Sequence, residues 1–441
     1  MIETEVGVIK KKQYGSELWH RLSCLSDTRK AVFFLLMIWF FFSISLLFLQ
    51  IMGLPFGFRV APGGEDWNWL GFIEEAKQIN YLPHIAQKFW SIDGRNPLSP
   101  WYWVTIAPLI VKSKYSLYFV RCIMNPILAI TVYLLLSRLS RQKNTLFAFS
   151  VALVTLMWSF FIVFSHLIWV FHCALTLSLC SLYFYCGYID ECRANSEGNL
   201  ALAMLCYFAA LATYSLQAGA LIGIAAIGFF RKPYSSKHAI LAIKDTSFFV
   251  MLFIFYYLIW NTTTLWVSAV VNTKTLTFHW QQLLKSIQFF LFHRDYSFFF
   301  KLIKADWHFT LPACIILTLC FSKLLFTLTR SHVLNDKTDF PFRWIVVLLI
   351  CVAGPTLILE SSSNIFVPGT RSPMISQVFQ PLLYVSFIFL FAHYVPVQKK
   401  IKTNIVVVLT AILAAITTTV SVEYNHTLVK NSVTGKLIIN R

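Results

Sequence analysis

Long apolar runs, broken by short polar stretches, occupy most of this chain. Windows of about 17 to 25 residues, the length a helix needs to cross a bilayer, place the runs at 31–54, 117–137, 144–164, 169–189, 199–215, 217–230, 246–261, 309–329, 344–360, 375–396 and 404–422. The pattern predicts an all-α polytopic membrane protein with about eleven transmembrane helices. Between 199 and 230 only Gln217 and its neighbours interrupt the apolar run, so the reading of two spans there sets the orientation of everything after it. Residues 1–30 form a polar leader without a small-residue cleavage site. The leader is expected to be retained, with the first helix serving as an uncleaved anchor.

The basic residues give the orientation. The leader and the breaks at 138–143, 190–198, 231–244, 323–343 and 399–402 hold 21 of the 37 Lys and Arg. Their density there is roughly twice that of the remaining breaks, which marks these segments as cytoplasmic under the positive-inside rule. The N-terminus is then inside and a C-terminal tail, 423–441, outside. Three substantial segments, 55–116, 262–308 and 361–374, fall on the outer face of a transmembrane domain spanning 31–422.

Composition agrees: 57% of residues are hydrophobic, 42 are Phe and only 13% are charged, about half the charged fraction of a soluble domain. The formal charge of +18 could suggest nucleic acid. The cations nevertheless sit in short clusters at the ends of apolar runs, as orientation signals do. Eight of the ten Cys lie in apolar segments and none in the expected outer loops, so no disulfide framework or Cys/His metal spacing is predicted. The chain carries no Walker motif, dinucleotide fingerprint, nucleophile elbow or His-Glu-x-x-His.

Chemistry is concentrated in the first outer segment. Glu65-Asp66 follows the turn-forming Pro62-Gly63-Gly64, and Asp93-Gly94-Arg95 follows later. Paired carboxylates beside a span are costly near lipid and suit acid/base work at a membrane face, although loop carboxylates often only solvate a helix end. Asp93 also fits a turn or N-cap residue. Around them, Trp67 to Ala76 and Ile85 to Trp90 space bulky apolar groups as interfacial helices do, and Trp101-Tyr102-Trp103 suits an aromatic belt. Arg95, Arg121 and Arg371 are candidates for gripping phosphate, since guanidinium offers a fixed fork of donors. Arg121 lies just inside a span, where snorkelling to headgroups is the alternative, and Arg371 sits between Pro368 and Pro373. His166 and His172 bracket an outer turn; a substrate contact and a hydrogen-bonded interfacial His are both open.

These features together form a recognisable pattern. A first helix followed by an acidic pair, then Pro97-Leu98-Ser99-Pro100-Trp101-Tyr102-Trp103, then Tyr118-Phe119-Val120-Arg121 opening a helix, and late Pro368-Gly369-Thr370-Arg371-Ser372-Pro373, resembles the GT-C class of polyprenyl-phosphate-sugar-dependent glycosyltransferases. Glu65-Asp66 with Asp93-Gly94-Arg95 is similar to the bacterial and phage-encoded glucosyltransferases that modify O-antigen. The likeness covers most of the chain as architecture and about 60 residues as motif, a share read from the sequence alone. The order Glu65 then Asp66 departs from the family's usual Asp then Glu.

The resemblance implies an inverting transfer of a sugar, glucose being the candidate, from undecaprenyl phosphate to O-antigen or another surface glycan or lipid. It places the site on the periplasmic face of a bacterial inner membrane. Asp66 is the expected catalytic base, with Glu65 as the alternative base or as a group orienting the acceptor or a divalent cation such as Mg or Mn. Asp93, Arg95, Arg121, Arg371 and His166 are the expected substrate-binding residues. A transporter or flippase of lipid-linked glycans would instead place ionisable residues near the midplane, and an O-antigen polymerase or ligase would rely on Arg-rich outer loops.

Overall fold

The structure is a computed structural model that describes residues 27–52, 98, 116–141, 144–158, 172–190, 196–231, 235–266, 279–291, 294–329, 342–362 and 372–439. Among these residues the chain is helical. The helices are α1 (Asp27–Ile51), α2 (Ser116–Leu139), α3 (Thr145–Met157), α4 (Cys173–Asp190), α5 (Glu197–Thr213), α6 (Ala220–Phe230), α7 (Ser236–Trp266), α8 (Trp280–Leu291), α9 (Arg294–Thr329), α10 (Phe342–Ser362), α11 (Ser372–Tyr394) and α12 (Lys399–Ile439), with a 3₁₀ turn, Ser215–Gly219, between α5 and α6.

Six segments of these helices are long and apolar enough to cross a membrane: Thr28–Phe48, Cys173–Asp190, Ser236–Ile259, Thr310–Thr327, Gln377–Tyr394 and Lys399–Val422. Five shorter apolar helices, Ile123–Leu139, Thr145–Met157, Glu197–Thr213, Gln217–Phe230 and Phe342–Pro355, accompany them. The protein is a multi-pass helical membrane protein. Its surface says the same: Phe40, Phe41, Phe48, Met251, Phe255, Ile316 and Leu319 are exposed, a belt of large apolar side chains that water would not tolerate and lipid does.

Each helix buries a stripe. On α7 the buried positions His238, Ala242, Asp245, Phe249 and Tyr256 recur at steps of one or two helical turns, while Ile243, Met251, Ile254 and Leu258 face outward; that spacing keeps one face of a 3.6-residue helix against its neighbours. The ring of Phe249 meets Tyr185 on α4 and Tyr207 on α5 edge to face, at 5.4 and 5.7 Å between centroids. Small residues let backbones close: at Gly223 on α6 an added Cβ would sit 2.8 Å from Leu182 of α4, the close approach that membrane helices use in place of a hydrophobic driving force. Three consecutive threonines on α12, Thr417, Thr418 and Thr419, each donate a hydroxyl to the carbonyl four residues back at 2.7 to 2.9 Å, so polar side chains cost little inside an apolar helix.

The bundle has two distinct ends. Short connections join α2 to α3, α4 to α5, α6 to α7 and α11 to α12 at a basic end carrying Arg138, Arg141, Arg231, Lys237, Lys244 and Lys399. The opposite end, called the far end below, holds the 3₁₀ turn. The break at Gln217 is a real turn: Tyr214 is extended, with φ −157° and ψ 114°, and Gly219 packs so tightly that a Cβ there would collide with the Cys351 carbonyl oxygen and the Pro355 ring of α10.

Helices reach beyond the windows that hydropathy marks. The expected outer segment 262–308 is helical over Trp280–Leu291 and from Arg294 onward, and α12 runs through 423–439. Hydropathy registers only the apolar part of a helix; once begun, a helix continues through polar residues that solvent can hydrate, because propagation costs far less than nucleation.

Candidate functional site

At the basic end, Arg231 caps α6 and is almost fully buried. Its Nε donates to Asp190 Oδ1 at 2.8 Å and its Nη2 to Asp190 Oδ2 at 2.8 Å, a bidentate pair. Nη1 donates to the Leu139 carbonyl at 2.6 Å and Nη2 also to the Arg138 carbonyl at 2.7 Å. One guanidinium thus binds the C-terminal ends of α2 and α4 to that of α6, where unpaired carbonyls and the helix dipoles all favour a cation. The Arg231 carbonyl in turn accepts from Arg141 Nη2 at 3.0 Å. Burial works against the Arg231 charge, but the hydrogen bonds and charge of Asp190 outweigh it and hold the pKa above the ordinary arginine value. Four of the five guanidinium N–H groups are engaged within the protein, so this is a fastening rather than a ligand site.

The far end differs. Midway along the bundle, helices α2, α3, α4, α10 and α11 close around a small apolar hollow lined by Leu136, Val132, Val151, Leu179, Val352 and Val378 among others. Moving outward from that hollow, the lining turns polar. Thr155 is one turn beyond Val151 on the same face of α3, Thr176 just under a turn beyond Leu179 on α4, and Asn125 two turns beyond Val132 on α2, by the periodicity of the helix. All three are buried, at 0%, 8% and 1% exposure. Asn125 Nδ2, Thr155 Oγ1 and Thr176 Oγ1 have no hydrogen-bond partner. On α11, Gln377 precedes the lining residue Val378, is 2% exposed, and leaves Nε2 without a partner. Beside Asn125, Pro126 has no N–H to give the Cys122 carbonyl, so a backbone acceptor is released as well.

Leu98 is held to the far end by its N–H, which donates to the Ala212 carbonyl at 3.0 Å beside the 3₁₀ turn. Of the predicted site residues, Glu65, Asp66, Asp93, Arg95, His166 and Arg371 lie outside the described residues. Arg121 is in α2, one turn from Asn125 toward the far end, with its side chain outside the described set. Arg371 directly precedes α11 and so lies six residues before Gln377, while His166 lies six residues before the buried His172 that leads into α4.

Sequence reasoning missed Asn125, Thr155, Thr176 and Gln377. Asn125-Pro126 inside an apolar run was a usable signal, since an amide and a helix-breaking ring together are rarely neutral in lipid. Nothing distinguishes Thr155 or Thr176 from threonines such as Thr131, whose hydroxyl is spent on the Ile127 carbonyl at 2.8 Å. Among the described residues no three His, Cys, Asp or Glu side chains gather to hold a metal ion; the carboxylates expected to orient one are not in that set. Comparison with known proteins returns no match, whether to a family model, a curated relative or a solved structure.

Proposed function

We propose that the chain is an inverting glycosyltransferase of GT-C type that takes a sugar from a polyprenyl phosphate and transfers it to a glycan or lipid acceptor at the far end of the bundle. In this reading eleven helices cross the bilayer, the basic end is cytoplasmic and the far end periplasmic, in a bacterial inner membrane. The supporting observation is the set of buried, unpartnered polar groups toward the far end, the end at which Leu98 bonds to Ala212. Asp66 removes the acceptor proton as its oxygen attacks the anomeric carbon, and the bond to the lipid phosphate breaks on the opposite face. Glu65 orients the acceptor or a divalent cation. Arg95, Arg121 and Arg371 offset the charge on the departing phosphate, and Asp93 and His166 hold sugar hydroxyls.

One observation favours a second reading. Asp245 is 3% exposed within the apolar stretch Ser236–Ile259, two turns from the buried His238 on the same stripe of α7. An ionisable residue buried in a span is a feature of transporters, here a flippase of lipid-linked glycans.

Purified protein in lipid nanodiscs, given synthetic polyprenyl-phosphate-glucose and lipopolysaccharide, separates the two. The enzyme reading expects sugar transfer that falls by about 10²-fold or more in Asp66→Asn or Glu65→Gln and is unchanged in Asp245→Asn. Loss in Asp66→Asn alone makes Asp66 the base. Full activity in both carboxylate variants removes the site assignment. Absence of transfer, together with Asp245-dependent movement of the lipid across proteoliposomes, replaces the enzyme with the flippase.

A further inference from the structure

We infer that Asn125, Thr155 and Thr176, with Gln377 beside them, form a subsite for an uncharged, polyhydroxylated ligand, a neutral sugar ring. This rests on the glycosyltransferase reading above and assigns the part of the site that selects the sugar.

Native interiors rarely leave polar groups without partners, because each costs its desolvation without return. Four helices here carry such groups, and three of the four stand one or two turns beyond residues that line the hollow, on the same helix faces. Ordinary helix chemistry does not use them: Thr131, Thr318, Thr417, Thr418 and Thr419 all return their hydroxyls to a carbonyl of their own helix, whereas Thr155 and Thr176 do not.

The chemistry of the set specifies the ligand. Two amides and two hydroxyls supply donors and acceptors in both directions, which is what a ring of sugar hydroxyls requires. None of the four is charged. A carboxylate or ammonium brought into this apolar surround would lose its hydration with no counter-charge, so a uronic acid or an amino sugar is rejected while a neutral hexose is accepted. A site built to hydrogen-bond hydroxyls also discriminates strongly against an analogue lacking them. The groups are sealed from solvent in this structure, so occupation requires the far ends of α3 and α4 to part, above the small hollow that lies beneath them.

The test uses the full chain in nanodiscs with three probes: a short-chain prenyl phosphate bearing glucose, the same lipid bearing glucuronic acid, and the bare prenyl phosphate. Binding is read by competition and by thermal stabilisation in wild type, Asn125→Leu, Gln377→Leu and the isosteric pair Thr155→Val with Thr176→Val. The glucosyl lipid is expected to bind wild type at least about tenfold tighter than either other probe, a margin that shrinks to less than about threefold in the variants. Without ligand the variants are expected to unfold at the wild-type temperature or higher, since they delete unpaired polar groups from an apolar interior. That second readout separates a ligand subsite from a structural network, whose loss would lower it. If all three probes bind wild type and variants alike, the subsite is overturned and the lipid-phosphate reading stands. If no prenyl phosphate binds, both fail together.

Discussion

Arg231 shows how much a single side chain can fasten. Its guanidinium is 3% exposed on the side chain and engages a carboxylate and two helix-terminal carbonyls. Removing one partner of a buried pair leaves the other charged and uncompensated, at about 3 to 5 kcal/mol. Arg231→Ala is therefore expected to lower the unfolding temperature markedly, with Arg231→Lys intermediate because an ammonium cannot reproduce the bidentate fork. In Asp190→Asn the guanidinium keeps the Leu139 and Arg138 carbonyls and can take an amide oxygen in place of the carboxylate, so that variant should cost less than Arg231→Ala, which removes every one of these contacts. Thermal unfolding of the three variants in detergent checks the order; equal stability throughout would show that the fastening contributes nothing. From sequence, Arg231 reads only as one more orientation cation. A basic residue at a span's end looks the same whether it meets headgroups or three helix termini. Asn125 and Thr155 hide for a related reason: the sequence carries no record of whether a hydroxyl or amide is already spoken for.

At the level of elements, the glycines separate by what stands opposite them. Gly219 closes the 3₁₀ turn against α10 with no room for a methyl group, whereas at Gly198, in the exposed first turn of α5, an added Cβ meets nothing within 4 Å. Gly219→Ala is expected to destabilise by about 1 to 3 kcal/mol through overpacking, and Gly198→Ala to be neutral or to stabilise by up to about 1 kcal/mol through helix propensity. Denaturation of the two side by side measures the difference, and similar behaviour would sink the claim that the turn is sterically set. The helix α8 is the element that hydropathy could not resolve. It is strongly amphipathic and buries Ser286 while leaving Trp280 and Leu284 exposed, so no window of spanning length marks it, yet its periodicity is that of a helix lying on a surface.

For the whole molecule, each apolar run read from the sequence contains a helix among the described residues, because burial in lipid demands that backbone hydrogen bonds be met within the segment. The polar outer segments gave no comparable rule, and the carboxylates assigned to chemistry, with Arg95 and Arg371, sit there. Orientation follows from the basic residues and can be tested directly. In a cysteine-free background, Trp280→Cys, 70% exposed in the wild type, is expected to react with a membrane-impermeant maleimide added outside intact spheroplasts. Lys237→Cys, exposed at the basic end, is expected to react only after permeabilisation. The reverse pattern would invert the topology and place the polar layer in the cytoplasm.

The Arg231 fastening also bears on how the protein is made. The carbonyls of Arg138 and Leu139 and the carboxylate of Asp190 are all synthesised well before the residue that joins them, which follows Asp190 by 41 positions and Leu139 by 92. During translation α2 through α5 therefore wait in the membrane with that corner open and a carboxylate unmatched. A chain arrested before position 231 lacks the guanidinium that joins the Asp190 carboxylate to the Arg138 and Leu139 carbonyls, so the corner between α2 and α4 closes only when α6 is complete.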